Sequence, residues 1–310
     1  MLNLFADPNL RWILLGSMLL GLSSGVIGTF SYLRKQSLIG DTLAHAALPG
    51  ICIAFMLTGV KSIGLFLIGA IVAGVVATWC ISLITRRSRI KPDAALGIVL
   101  SLFFAIGVVM LTRIQHSPTG NQSGLDKFLF GQAASMTSSD LYTLGGVALL
   151  LVIVCGLLYK EFKLLSFDPG YGRGLGFPVG ALEQLLLGLT TVAVVVGIQA
   201  VGVVLVAALL ITPAVSARYW TDRLGVMAVL AGLFGALSGA AGTWISSGVS
   251  QLPTGPISVL AATSFFVVSL LLGPKRGLAA KLLGRRTAKR EWLTERASAA
   301  AQTKERGASI

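Results

Sequence analysis

Charge is scarce in this chain, and acid is scarcer than base. Of its 310 residues only 12 are Asp or Glu and only 2 are His. So few titratable groups leave little material for general acid–base chemistry. Cysteine is nearly absent. Cys52, Cys80 and Cys155 stand alone in apolar runs with no CxxC spacing, which argues against a metal cluster or a disulfide framework and for three small buried apolar residues. No GxxxxGK[ST] run occurs, so the chain carries no P-loop ATPase of its own, and no HExxH zinc-hydrolase motif occurs either. Any energy for active work must come from another subunit or from an ion gradient.

What the chain has in abundance is apolar residues. They make up 55% of it, and the mean hydropathy is +0.84. They fall in runs of about 18–25 residues, the length a helix needs to cross a hydrocarbon core of about 30 Å. The pattern predicts an all-α polytopic membrane protein with about eight or nine transmembrane helices. The candidate spans are 10–33, 38–59, 62–85, 93–112, 140–159, 178–197, 199–217, 224–248 and 256–273. The count depends on Gly197-Ile198-Gln199, where two spans meet with almost no loop. The segment Met1–Asn9 contains Asp7 and no basic cluster, unlike a cleavable signal peptide. Residues 1–280 read as one transmembrane domain and 281–310 as a basic tail, amphipathic or disordered.

The net charge of +13 raises the question of nucleic acid, and its distribution answers it. From Pro274 onward the chain holds ten basic and three acidic residues. With the loops alternating sides, 21 of the 25 Lys and Arg residues fall on one side and 4 on the other. This is the positive-inside pattern. It predicts an N-terminus outside, a cytoplasmic C-terminus and a location in the cell membrane, with anionic lipid rather than nucleic acid as the partner of the basic tail.

Against this background the run Gly40-Asp41-Thr42-Leu43-Ala44-His45-Ala46-Ala47-Leu48-Pro49-Gly50 is unusual. An ionisable residue inside a membrane span marks a candidate functional site, because burying it costs about 2.5–3.5 kcal/mol on insertion scales. Asp41 and His45 are four residues apart, so a helix puts them on one face. Pro49 has no N–H, which leaves the carbonyl of His45 without its helical donor. A carboxylate, an imidazole and a free carbonyl can then face one place. One helix supplies too few ligands to close a transition-metal site, whereas two copies would supply two carboxylates and two imidazoles. The alternative is that Asp41 caps the span and His45 is a packing residue. Asp93 also suits a cap. Glu183 suits a snorkelling residue or a helix contact, and His116 a solvated loop residue or a metal-capturing one. Asp41 falls near the cytoplasmic start of its span, so an outer gate would require a re-entrant connection at 34–40.

Several segments together are similar to one family. Ser37 to Gly50 resembles the second-span signature of bacterial ABC permeases that import manganese, zinc or iron. Phe128-Leu129-Phe130-Gly131 with Asp140-Leu141 is similar to that family's outer segment, and Ser166-Phe167-Asp168-Pro169 to its cytoplasmic coupling segment. Leu209 to Ala217 and Pro253-Thr254-Gly255-Pro256 also match. The run from Gln122 to Ala134 looks closest to the manganese branch.

The resemblance implies a permease that pairs with a second copy or a paralogue, two cytoplasmic ABC ATPase subunits below, and an extracellular metal-binding protein or lipoprotein above. It implies that Asp41 and His45 meet the metal in transit, and that Ser166, Phe167, Asp168, Pro169 and Arg173 receive the ATPase stroke. No permanent cofactor is implied, since manganese, zinc or iron is cargo. Ligand chemistry leaves the metal open: carboxylate and carbonyl suit manganese, imidazole suits zinc or iron. A siderophore or cobalamin permease would share the architecture but have no use for the pair. A stand-alone, gradient-driven cation carrier should carry more intramembrane acids.

Overall fold

The structure is a computed structural model, and it describes residues 8–59, 63–116, 138–248 and 253–280. All the regular elements among these residues are helices. In chain order they are α1 (Pro8–Leu33), α2 (Ile39–Thr58), α3 (Ile63–Arg87), α4 (Pro92–Gln115), α5 (Ser138–Leu157), α6 (Tyr159–Phe167), α7 (Pro169–Gly174), α8 (Val179–Val201), α9 (Val203–Arg218), α10 (Leu224–Gly248) and α11 (Thr254–Leu272). The tail from 281 and the outer run 117–137 lie outside the described residues.

Among the described residues seven helices (α1, α2, α3, α4, α8, α10 and α11) are long and apolar enough to cross a membrane. α5 and α6 qualify only together and bend by 69° at their junction, which makes eight if the pair is one span. The described residues thus hold seven or eight candidate spans, with α9 a shorter apolar helix beside them. α9 has 16 residues, about 24 Å of helix, short of a core of about 30 Å. The joint expected at Gly197 to Gln199 lies a little further on. α8 runs through to Val201, and the break is at Gly202, whose φ of 92° and ψ of 165° suit a residue without Cβ.

α1 and α2 form the centre. α1 packs on α5, α8, α9 and α10, and α2 on α3, α4, α8 and α9. Between membrane helices the lipid is as apolar as the side chains, so close backbone approach replaces hydrophobic drive. A Cβ on Gly21 of α1 would stand 2.1 Å from the Gly235 carbonyl oxygen of α10, and one on Gly235 would stand 2.0 Å from that of Gly21. Gly50 of α2 and Gly69 of α3 meet in the same way, at 2.1 and 2.4 Å. Ile27, Phe30, Ile39 and Leu43 fill the space beside these contacts and are buried.

One end of the bundle gathers the basic residues. Arg34, just past α1, and Arg86, in the last turn of α3, both pair with Glu183 in α8. Arg218 at the end of α9 and Arg276 beyond α11 share Asp222. Loops that the charge pattern assigned to one side thus meet in space.

Any side chain at the α1–α10 crossing must push backbones apart. Gly21→Ala or Gly235→Ala is expected to destabilise by about 1–3 kcal/mol, seen as a lower melting temperature in detergent. Gly146→Ala, where the added Cβ has no neighbour within 4 Å, should leave it unchanged.

Candidate functional site

Residues 34–38 make a tight turn between α1 and α2. Arg34 N–H donates to the Phe30 carbonyl at 3.1 Å, Lys35 to Tyr32 at 3.0 Å and Gln36 to Ser31 at 3.1 Å. Lys35 takes the left-handed conformation, φ 59°, that lets the chain reverse. There is no re-entrant segment here. α2 begins at the basic end, with Asp41 in its first turn. At 1.5 Å per residue Asp41 is about 3 Å along the helix and His45 about 9 Å.

Asp41 is not a cap. The N-cap of α2 is Leu38, and no side chain caps that terminus. A carboxylate in the first turn still gains from the helix dipole. His45 Nε2 lies 3.4 Å from Asp41 Oδ1, with 21% of the His45 side chain and 39% of the Asp41 side chain exposed. The His45 ring meets the edge of Phe104 of α4, centroids 4.8 Å apart. Its Nδ1 is buried and has no hydrogen-bond partner.

This spacing is long for a charge-assisted hydrogen bond of about 2.7–2.9 Å. It suits two ligands of one ion: with metal–ligand bonds of about 2.0–2.2 Å, 3.4 Å subtends about 100–115°. Pro49 lies inside α2, so the His45 carbonyl has no amide four residues on to donate to it. Among the described residues no group of three or more His, Cys, Asp or Glu side chains could hold a metal. By itself the pair offers too few side-chain ligands to hold a metal ion.

The segment at Ser166 lies at the same end. Ser166 and Phe167 close α6, and Ser166 Oγ donates to the Phe162 carbonyl at 2.7 Å. Asp168 then ends α6 and begins α7, its Oδ1 accepting from the Tyr171 N–H at 2.8 Å. Pro169 takes the first position of α7, where a missing N–H is harmless. Arg173 is in the last turn of this helix. Phe167, Tyr171 and Leu175 are each more than half exposed. α6 and α7 thus form an elbow with a mixed apolar and charged exposed face.

Other expectations resolve as follows. Glu183 is a helix contact, held by Arg34 and Arg86. Asp93 is one residue inside Pro92, and the N-cap of α4 is Lys91. His116 is exposed, with Nδ1 2.8 Å from the Thr112 carbonyl. Phe128 to Gly131 lie outside the described residues, as does the side chain of Asp140. Sequence reasoning missed Phe104 as the neighbour of His45, because an aromatic in an apolar run carries no local signal. It missed Arg34 and Arg86 as partners of Glu183, because those contacts join residues far apart in the chain.

Comparisons with known proteins bear on the chain as a whole. The profile of the ABC 3 transport family matches residues 6–273. The manganese transport system membrane protein MntC of Bacillus subtilis (strain 168) is 52% identical over 276 residues, 89% of this chain. The chain spans 63% of that relative's length. The zinc transport system membrane protein TroC of Treponema pallidum (strain Nichols) is 44% identical over 286 residues, 92% of this chain and 96% of that protein. The solved structure of PsaBC from Streptococcus pneumoniae in complex with Fab superposes with a TM-score of 0.76 at 33% identity, covering 88% of this chain and 95% of that one.

The Asp168 cap can be tested directly. Asp168→Ala loses the carboxylate acceptor while Asp168→Asn keeps one. The alanine variant is expected to speed hydrogen exchange at the Tyr171 amide by roughly 2- to 30-fold, the value of an N-cap of about 0.5–2 kcal/mol, and the asparagine variant to change it little.

Proposed function

Because the chain belongs to the ABC 3 transport family, we propose that it is the membrane permease subunit of an ATP-driven importer of divalent transition metal, with manganese as the first cargo and zinc or iron as alternatives. The observation that carries this reading is the Asp41–His45 pair, a carboxylate and an imidazole 3.4 Å apart near the start of a largely buried apolar helix. Relatives named for manganese and for zinc support the same cargo class.

The charge pattern supports an orientation in which the end bearing Arg34, Arg86 and Arg276 faces the cytoplasm. The elbow of α6 and α7 is then the docking face for an ABC ATPase. Its exposed Phe167 and Tyr171 offer apolar contact, while Asp168 and Arg173 offer charge. The chain is a transport subunit, and ATP is hydrolysed by two separate cytoplasmic subunits. An extracellular metal-binding protein delivers the ion. A second permease copy or a paralogue supplies the missing ligands.

The pair is built for transit. When Nε2 of His45 binds an ion, the ring proton must sit on Nδ1, which is buried without an acceptor. An unmade hydrogen bond of this kind costs about 1–3 kcal/mol. Metal-binding histidines usually have such a partner, so its lack keeps the ion weakly held and able to leave. A siderophore or cobalamin would leave the pair idle, and so the small ion is the better fit.

Asp41→Ala or His45→Ala is expected to abolish metal uptake while the assembled complex is still recovered from the membrane. Uptake at the native rate in both variants would sink the assignment. Charge reversal at Asp168 or Arg173 is expected to weaken co-purification of the ATPase, or to let ATP be hydrolysed without uptake. Metal uptake by the permease alone in liposomes, without an ATPase, would instead favour a gradient-driven carrier.

A further inference from the structure

Two buried polar atoms on side chains of opposite charge have no partner near the cytoplasm-facing end. One is Arg34 Nη1, which is buried and has no partner, although Nη2 of the same guanidinium donates to Glu183 Oε1. The other is Glu161 Oε2 in α6, which is also buried and without a partner. Buried charged groups of this kind are costly unless paired, so each needs an explanation. The helices that carry them touch. Phe162, next to Glu161, packs edge-on against Phe30 in the last turn of α1 at 5.5 Å, and Arg34 lies one turn beyond Phe30.

Their positions in the chain are telling. Glu161 precedes the elbow at Asp168 by seven residues, and Glu183 follows it in the second turn of α8. The two carboxylates thus flank α7, one on each arm. Arg34 belongs to the rigid turn that starts α2 and so sits seven residues before Asp41. Here Glu183 is held from two sides. Arg34 takes one oxygen and Arg86 the other, the latter at 3.5 Å, while Arg86 also reaches the Gly180 carbonyl at 3.3 Å. Gln184 adds a contact to Ser82 of α3.

We propose that Arg34 is the positioning residue that couples the α6–α7 elbow to the Asp41–His45 pair, by passing from Glu183 in this conformation to Glu161 when the elbow moves. This rests on the permease reading above. Movement of α7 shifts its two arms relative to α1. The guanidinium has a nitrogen without a partner, and a buried carboxylate oxygen lies on α6, which packs against the last turn of α1 just before Arg34, so the exchange replaces one ion pair by another. Whichever arm holds Arg34 sets the position of the turn at 34–38, and with it the first turn of α2. Glu183 keeps Arg86 after the exchange, so it is not left buried and unpaired.

The test uses the whole transporter, permease with its ATPase, in liposomes, with manganese as the probe and metal moved per ATP hydrolysed as the readout. Glu161→Gln leaves the resting pair intact. It is expected to lower metal moved per ATP by about fivefold or more, the range of a typical coupling free energy, without changing the melting temperature. Arg34→Gln and Glu183→Gln are expected to lower both. Native metal per ATP in Glu161→Gln overturns the proposal. So does a fall in melting temperature as large as that of Glu183→Gln, which would make Glu161 a resting contact only. If the unaltered complex moves no metal, the permease reading is what fails. The melting contrast among the variants still decides the resting arrangement of Arg34.

Discussion

Backbone must touch backbone at the centre of this bundle. Inside a membrane there is no water to expel from between helices, so contact area and hydrogen bonds hold them together. Gly21 on Gly235 and Gly50 on Gly69 bring α1 against α10 and α2 against α3 with no room for a methyl group. This locks the two central helices, and α2 is the one that carries Asp41 and His45. The polar pair is therefore displayed on the part of α2, Ile39 to Cys52, that neighbours hold on several sides.

The polar groups are few and are collected at one end. Asp41 and His45, the Arg34–Glu183–Arg86 cluster and the Asp168 elbow all belong to the basic end of the bundle. A metal passing Asp41 and an ATPase pressing on α7 would act on the same few turns of helix. The physical link is short: a tight turn, one ion-pair cluster and the first two turns of α8. Transport needs an ion held weakly enough to be released and a gate moved by a distant stroke. In the proposed reading, an imidazole with a buried, unpartnered Nδ1 would serve the first need, and a guanidinium with a nitrogen to spare the second.

Much of the architecture is legible from the chain alone, because apolar run length and loop charge are direct consequences of membrane physics. The expected spans at 10–33, 38–59, 62–85 and 224–248 match α1, α2, α3 and α10 to within about two residues, within the scatter of helix ends. The break at Gly202 was less legible, since Gly197 and Gly202 look alike in sequence and only the backbone angles separate them. The role of Asp41 was ambiguous for a similar reason. A cap and a ligand use the same residue type near a helix start, and the turn at 34–38 had to be seen to place Leu38 at the cap instead.

The sequence by itself determined that the chain crosses a membrane several times, that most of its basic residues fall in alternate loops and the tail, and that a carboxylate and an imidazole share a face of the second span. Those properties follow from local composition and from the 3.6-residue period. Only the tertiary structure decided which glycines meet, that Phe104 borders His45, and that Arg34 and Arg86 divide Glu183 between them. The partners in those contacts lie tens to hundreds of residues apart, and no local pattern records which helix a given face will meet.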